Sequence, residues 1–275
     1  IPCEMCIRDR GYSETKIIGT ASFANQSSFA CSGFEERNEI QNFPLLRSWG
    51  GDIVSSENCS LIWSNDRFAS GFNTRPGVEP HTGNCFCGIP PQEYGPGFTT
   101  RRPQFGNSKD FLITGETYRA SVWIHANSPN EVFLVAHLTG NNCPTNSYIA
   151  IPKNAPQNLR IGDWIRLSLD IEVPANYSSS NTFGTGLKIY VWNNSTTQEA
   201  YIDDLRVNPI TSTVNTYVFN SINDQLMAIL DNENLAAFYE YAQDGSLAKT
   251  FRETGKNGGK ILKISEHKHH FKREQ

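Results

Sequence analysis

From about Ser28 to Pro209 the chain alternates short apolar runs with clusters of turn-forming residues, and apolar positions recur at every second residue. WIRLSLDIEV at 164–173 is the clearest run: Ile165, Leu167, Leu169 and Ile171 alternate with Arg166, Ser168, Asp170 and Glu172. This pattern predicts a strand with one face buried and the other in water, and leaves little room for a helix. TYRASVWIHA (117–126), EVFLVAHLTG (131–140), LKIYVWNN (187–194) and AYIDDLRV (200–207) read as further strands, and GFEER (33–37), SLIWSND (60–66), HTGNCFCGI (81–89) and KDFLITG (109–115) as less regular ones. The connections HANSPNEV, IGDW and SSSNTFGTG are short and polar, so neighbouring strands should pair antiparallel. Eight or nine strands of this kind predict an all-β fold, a two-sheet β-sandwich or jelly roll.

Composition fits that picture. The 275 residues are 38% hydrophobic with a mean hydropathy of -0.46, and they include 21 glycines and 14 prolines. A net charge of -4 without a basic stripe argues against nucleic acid as a partner. No run of about 18 apolar residues is present to span a bilayer. The opening IPCEMCIRDR shares no pattern with the rest, and MCIRDR resembles translated sequencing-adapter sequence. Residues 1–10 are therefore expected to be unstructured, with 11–27 a leader segment. Cys3 and Cys6 have the C-x-x-C spacing, but no second C-x-x-C completes a zinc site. Cys31, Cys59, Cys85, Cys87 and Cys143 allow at most two disulfides; Cys85 and Cys87 share a strand face and are not expected to bond to each other.

Catalytic signatures are missing: there is no G-x-S-x-G, no H-E-x-x-H, no Walker loop and no G-x-G-x-x-G between a strand and a helix. His81 reads as a turn residue, and His125 and His137 as strand-face residues. Asp170 and Glu172 share a strand face about 6–7 Å apart, within the range of a glycosidase pair, but on the solvent face. The chain is expected not to be an enzyme.

The order GFEER, EPHTGNCFCGI, TGETYRASVWIHA and AYIDDLRVNP resembles the carbohydrate-binding-module and galactose-binding-like jelly rolls over residues 28–209. That resemblance implies a glycan ligand held by exposed aromatics, with Trp63, Trp123, Tyr148 and Trp192 as candidates and Trp164 beside them. A place in the core is the competing expectation for each tryptophan. The resemblance also implies a structural calcium ion, its candidate ligands being Glu35 or Glu36 and Asp203 or Asp204. Asp203 and Asp204 are adjacent on a strand and point to opposite faces, so only one should be a ligand. Solvated strand-end charge is the alternative.

After Asn208-Pro209 the composition changes. Tyr217-Val218-Phe219 is answered 22 positions on by Tyr239-Glu240-Tyr241, and each aromatic pair is followed by a polar turn and a leucine. This echo resembles the YD repeat of Rhs-type proteins, with Ala242 and Ser246 departing from the unit. It implies an incomplete run of β-hairpins over 210–275, in which the aromatic strand pairs with the leucine strand. It also implies a fragment of a larger secreted or cell-surface protein of the Bacteroidota type, with flanking domains as further partners. The ending HKHHFKREQ fits one more strand. Two functions remain: a sandwich that binds glycan or a cell-surface polysaccharide, or a spacer or cap for the repeats with no ligand of its own.

Overall fold

A computed structural model describes residues 7–11, 16–22, 29–35, 60–63, 77–99, 112–140, 142–143, 148–177, 186–220, 223–256 and 258–267. These residues are all-β. In chain order the strands are β1 (Ile7–Gly11), β2 (Lys16–Ser22), β3 (Ala30–Ser32), β4 (Ser60–Trp63), β5 (Cys85–Ile89), β6 (Glu93–Thr99), β7 (Thr117–His125), β8 (Val132–Thr139) and β9 (Tyr148–Pro152). They continue as β10 (Leu159–Ile161), β11 (Trp164–Glu172), β12 (Gly186–Asn193), β13 (Ala200–Pro209), β14 (Thr213–Phe219), β15 (Leu226–Leu230), β16 (Ala236–Tyr241), β17 (Leu247–Thr254) and β18 (Lys260–Glu266). Among the described residues no helix is long and apolar enough to cross a membrane.

Two sheets form the sandwich. The larger runs β10-β11-β7-β13-β5-β4, with β3 also on β13, and the smaller runs β6-β12-β8-β9. Alternation decides what lies between them. Tyr118, Ala120, Val122 and Ile124 of β7 and Leu167, Leu169 and Ile171 of β11 meet Val132, Leu134, Ala136 and Leu138 of β8 and Leu187, Ile189 and Val191 of β12 in one buried core. Each valine, leucine or isoleucine among them contributes about 1.5–3 kcal/mol when fully buried.

A third sheet, β1-β2-β14-β15-β16-β17-β18, holds the hairpins expected from the echo: Tyr217 pairs with Ile229, and Tyr239 with Thr250. It lies over the outer face of the larger sheet, where Leu235 and Tyr201 pack with Phe86, Trp123, Ile161 and Trp164. This cover explains β7. Its residues from Ala120 to His125 are all buried, because both faces of the strand have neighbours. The solvent face expected for β11 is also partly covered, since the Arg166 guanidinium donates to the Glu233 carbonyl.

The N-terminal expectations are corrected. Residues 7–10, set aside as unstructured, lie in β1, and the supposed leader supplies β2, which pairs with β14 through Ala21 and Val214. Ala21 is buried there with Phe29, Cys31 and Val214. The GFEER segment is a turn entered from β3, with Phe34 at φ 56°. The described part of KDFLITG, from Leu112 on, also forms a turn, with Gly115 at φ 79°. Strands β6, β9 and β10 had not been expected. Among the described residues β6 pairs with β12 alone, so Pro96 stands in an edge strand, where a missing N–H is tolerated.

Candidate functional site

The outward face of the smaller sheet gathers aromatic rings. β12 alternates Leu187, Ile189 and Val191 toward the core with Lys188, Tyr190 and Trp192 toward the outside. Trp192 stands across from Tyr94 on β6 and Phe133 on β8, and Lys188 across from His137, which in turn faces Tyr148 on β9. The Tyr94 ring lies 4.1 Å from that of Trp192 and 5.4 Å from that of Tyr190, and His137 meets Tyr148 edge-on at 5.6 Å. Tyr148 lies near enough to Tyr190 to bear on its phenol. Opposite Tyr190 is Gly97, where any Cβ would run into the Ile189 carbonyl and the base of Tyr190. The glycine lets β6 lie close beneath the rings.

From Lys188 to Trp192 the strip is about 13 Å long, at roughly 3.3 Å per strand residue. Tyr94 and Tyr148 at its two ends keep 47% and 53% of their surface exposed, so flat apolar rings stand ready for contact at both. Burial and the nearby Lys188 charge lower the His137 pKa, keeping the ring neutral at pH 7. Burial also raises the Tyr190 phenol, helped by Tyr148 and Tyr94. The face thus offers aromatic planes, neutral hydroxyl and imidazole groups, and one ammonium.

Of the expected aromatic candidates, the fold brings Tyr148 and Trp192 together here. Trp63 ends β4, and its side chain lies outside the described residues. Trp123 is corrected: it is fully buried under the third sheet, its indole donating to the Asn234 carbonyl at 2.8 Å. Trp164 is buried beside it and donates to the Glu79 carbonyl. Tyr94, Tyr190 and His137 were missed. The outward parity of Tyr190 and His137 could be read from their strands, but Tyr94 sits in an edge strand disguised by Gly95, Pro96 and Gly97.

The expected calcium ligands meet elsewhere, in a buried polar joint between the larger sheet and the third. Glu35 accepts from the Asn84 and Cys85 amides, each at 2.9 Å. Gly83, at φ 63°, must be glycine because a Cβ would collide with that carboxylate. Asp203 accepts from the amides of His81, Thr82 and Asp204. Asp204 accepts from the Thr82 hydroxyl and meets His81 Nδ1 at 2.7 Å. The expectation that only one of the two aspartates could face the site is overturned. A β-bulge between Asp203 and Arg206, with Asp204 at φ 47°, turns both carboxylates the same way.

His81 links the layers. Its Nε2 meets Glu253 of β17 at 3.0 Å, and its ring stacks on Trp123 at 4.1 Å. Ionised carboxylates only accept hydrogen bonds, so an imidazole held between two of them donates from both nitrogens and is charged. Burial opposes that charge, but Glu253 and Asp204 outweigh it and raise the pKa to about 9. Burial raises Glu35 to about 8, with the Asn84 and Cys85 amides pulling the other way. Burial, Asp204 and Glu35 together hold Asp203 well above the usual carboxylate range. The third sheet adds further bonds: Arg206 donates to the Asp231 and Asn232 carbonyls, Asn234 to the Asp204 carbonyl, and the Ala236 amide to Glu253.

Oxygen donors of this kind suit calcium chemically. Their oxygens, however, are taken by amides, a hydroxyl and an imidazole, and among the described residues no three His, Cys, Asp or Glu side chains are placed to hold a metal ion. As arranged they do not fit calcium. Glu36 lies outside the described residues. Asp170, once a glycosidase candidate, is held by Arg119 in a two-pronged pair at 2.8 and 2.9 Å. Cys87 is disulfide-bonded, and not to Cys85.

No family model and no curated protein matches the chain. Among solved structures it is similar to the CBM22-1 xylan-binding domain of Paenibacillus barcinonensis Xyn10C, with 12% identity and a TM-score of 0.38 over 68% of this chain and 97% of that one. It is also similar to SGBP-B from a complex xyloglucan utilization locus in Bacteroides uniformis, with 13% identity and a TM-score of 0.28 over 58% of this chain and 47% of that one. An apo-form cyclase from Fischerella sp. matches at 12% identity and a TM-score of 0.31, over 58% and 88%. At these values the likenesses add nothing to what the residues themselves say.

Proposed function

We propose that this protein is a non-catalytic carbohydrate-binding β-sandwich whose ligand lies along the aromatic face of β6, β12, β8 and β9. The observation that carries the reading is the gathering of Tyr94, Tyr190, Trp192 and Tyr148 on the outward face of a sheet whose other face is core. A sugar ring has apolar C–H faces and a rim of hydroxyls; aromatic planes take the first, and Tyr, His and Lys groups bond the second. An exposed aromatic patch has no reason to persist without something to cover it. The disulfide at Cys87 supports a secreted or cell-surface setting. The hairpin pairing of β14 with β15 and β16 with β17 supports a place beside YD-type repeats in a longer protein.

Affinity electrophoresis of the whole chain against a panel of plant, algal and bacterial polysaccharides tests this. At least one polymer should retard it, and Trp192→Ala and Tyr94→Ala should each weaken that binding about tenfold or more, about 1.4 kcal/mol, with little change in melting temperature. A second reading, a spacer or cap without ligand, is favoured by the buried joint that fixes the third sheet to the sandwich. Retardation by no polymer would establish it.

A further inference from the structure

We infer that the ligand is an acidic polysaccharide, its uronate carboxylate received by Lys188. This rests on the glycan reading and adds the charge of the ligand to it. Lys188 projects to the aromatic side of β12, two residues from Tyr190, with His137 directly across on β8. His137 responds to the Lys188 charge, so the ammonium acts at that end of the strip.

Lys188 is the one charged side chain at the outward positions of β8, β9 and β12, which contain no Asp or Glu. Of the other cations in strands, Arg119, Arg166, Lys249, Arg252 and Lys263 each pair with a carboxylate, and Arg160 and Arg206 donate to backbone carbonyls, whereas among the described residues Lys188 makes neither contact. A partly buried lysine on the aromatic face, across from an imidazole that can donate, makes a receptor for one carboxylate. A neutral sugar would leave that charge unanswered beneath it. Stacking would be set by the rings and choice by the lysine.

The test uses the whole chain with polygalacturonate, alginate and hyaluronan, each beside its carboxyl-reduced neutral form. The expected result is that at least one acidic polymer binds about tenfold more tightly than its reduced partner and that added salt narrows the gap. Lys188→Met, which keeps the apolar stem, should abolish the preference by weakening binding of the acidic polymer to the level of its reduced form, with little change in melting temperature. Lys188→Arg should retain it. Equal binding of acidic and reduced polymers, or a preference that survives Lys188→Met, would overturn the inference and leave the glycan reading standing. Binding to no polymer, acidic or neutral, would overturn both.

Discussion

The two outer faces of the sandwich reverse the usual arrangement. The smaller sheet turns aromatic rings to the outside, and the larger sheet turns charged and polar groups inward, beneath a third layer. Trp192 and Trp123 show the contrast within one residue type. Both stand on the outward side of a central strand, yet among the described residues the ring contact of Trp192 is with Tyr94, whereas Trp123 is closed in by His81 and the Asn234 turn. Buried charge is tolerated when the chain supplies its partners, and in the joint it does so with amides, a hydroxyl, an imidazolium and carboxylates. Exposed rings gain partners only from another molecule. Self-sufficiency therefore assigns the joint to architecture and the aromatic face to binding.

The largest expected effect that could break this division is at His81. In His81→Ala, Asp204 and Glu253 would face each other across a void with no cation between them, a loss of about 3–5 kcal/mol. Denaturant unfolding of the whole chain measures it. Wherever the variant is folded, glycan affinity should be unchanged, because the aromatic face lies on the opposite sheet. Equal destabilisation by Trp192→Ala would show that both faces serve architecture and end the contrast.

The joint should also make stability depend on pH in an unusual sense. His81 has its pKa raised from 6.5 to about 9, so its contribution is complete below 6.5 and lost as pH rises through 9. Glu35, raised from 4.5 to about 8, keeps in the folded state a proton that the unfolded chain has released between those values. Stability must fall over that window too, and Asp203 shifts in the same direction. The joint should therefore lower the melting temperature between about pH 5 and pH 9 at constant ionic strength, an effect read as the difference between the protein and Glu35→Gln, whose profile should be flatter over the lower half. Calcium added at pH 8 should leave it unchanged. A rise would mean that Glu35, Asp203 and Asp204 rearrange around the ion.

How much of this the sequence disclosed depends on whether each feature is local. Period-two alternation located β7, β8, β11, β12 and β13 to within about two residues, and the aromatic echo located the hairpins, because strands and tight turns are written in neighbouring residues. His81 read as an ordinary turn residue, since its two partners lie 123 and 172 positions away. Asp203 and Asp204 were judged by the parity of a regular strand, which the bulge breaks. Trp123 was ambiguous for a similar reason: alternation marks the face a residue occupies, while a third layer built mostly from residues after 209 decides whether that face is wet.

The smallest effect concerns the rim of the joint. Arg119 makes its two-pronged pair with Asp170 and reaches Glu233 at 3.3 Å in the third sheet, but all three side chains are about one-third to one-half exposed. Water and salt screen such pairs, so Arg119→Ala should cost about 0.2–1 kcal/mol and less at high ionic strength. Denaturant midpoints of the two proteins at low and high salt measure this. A larger, salt-independent loss would place the docking energy of the third sheet in its exposed rim. A small one leaves it with His81, Glu253 and Asn234, where buried groups bond across the layers.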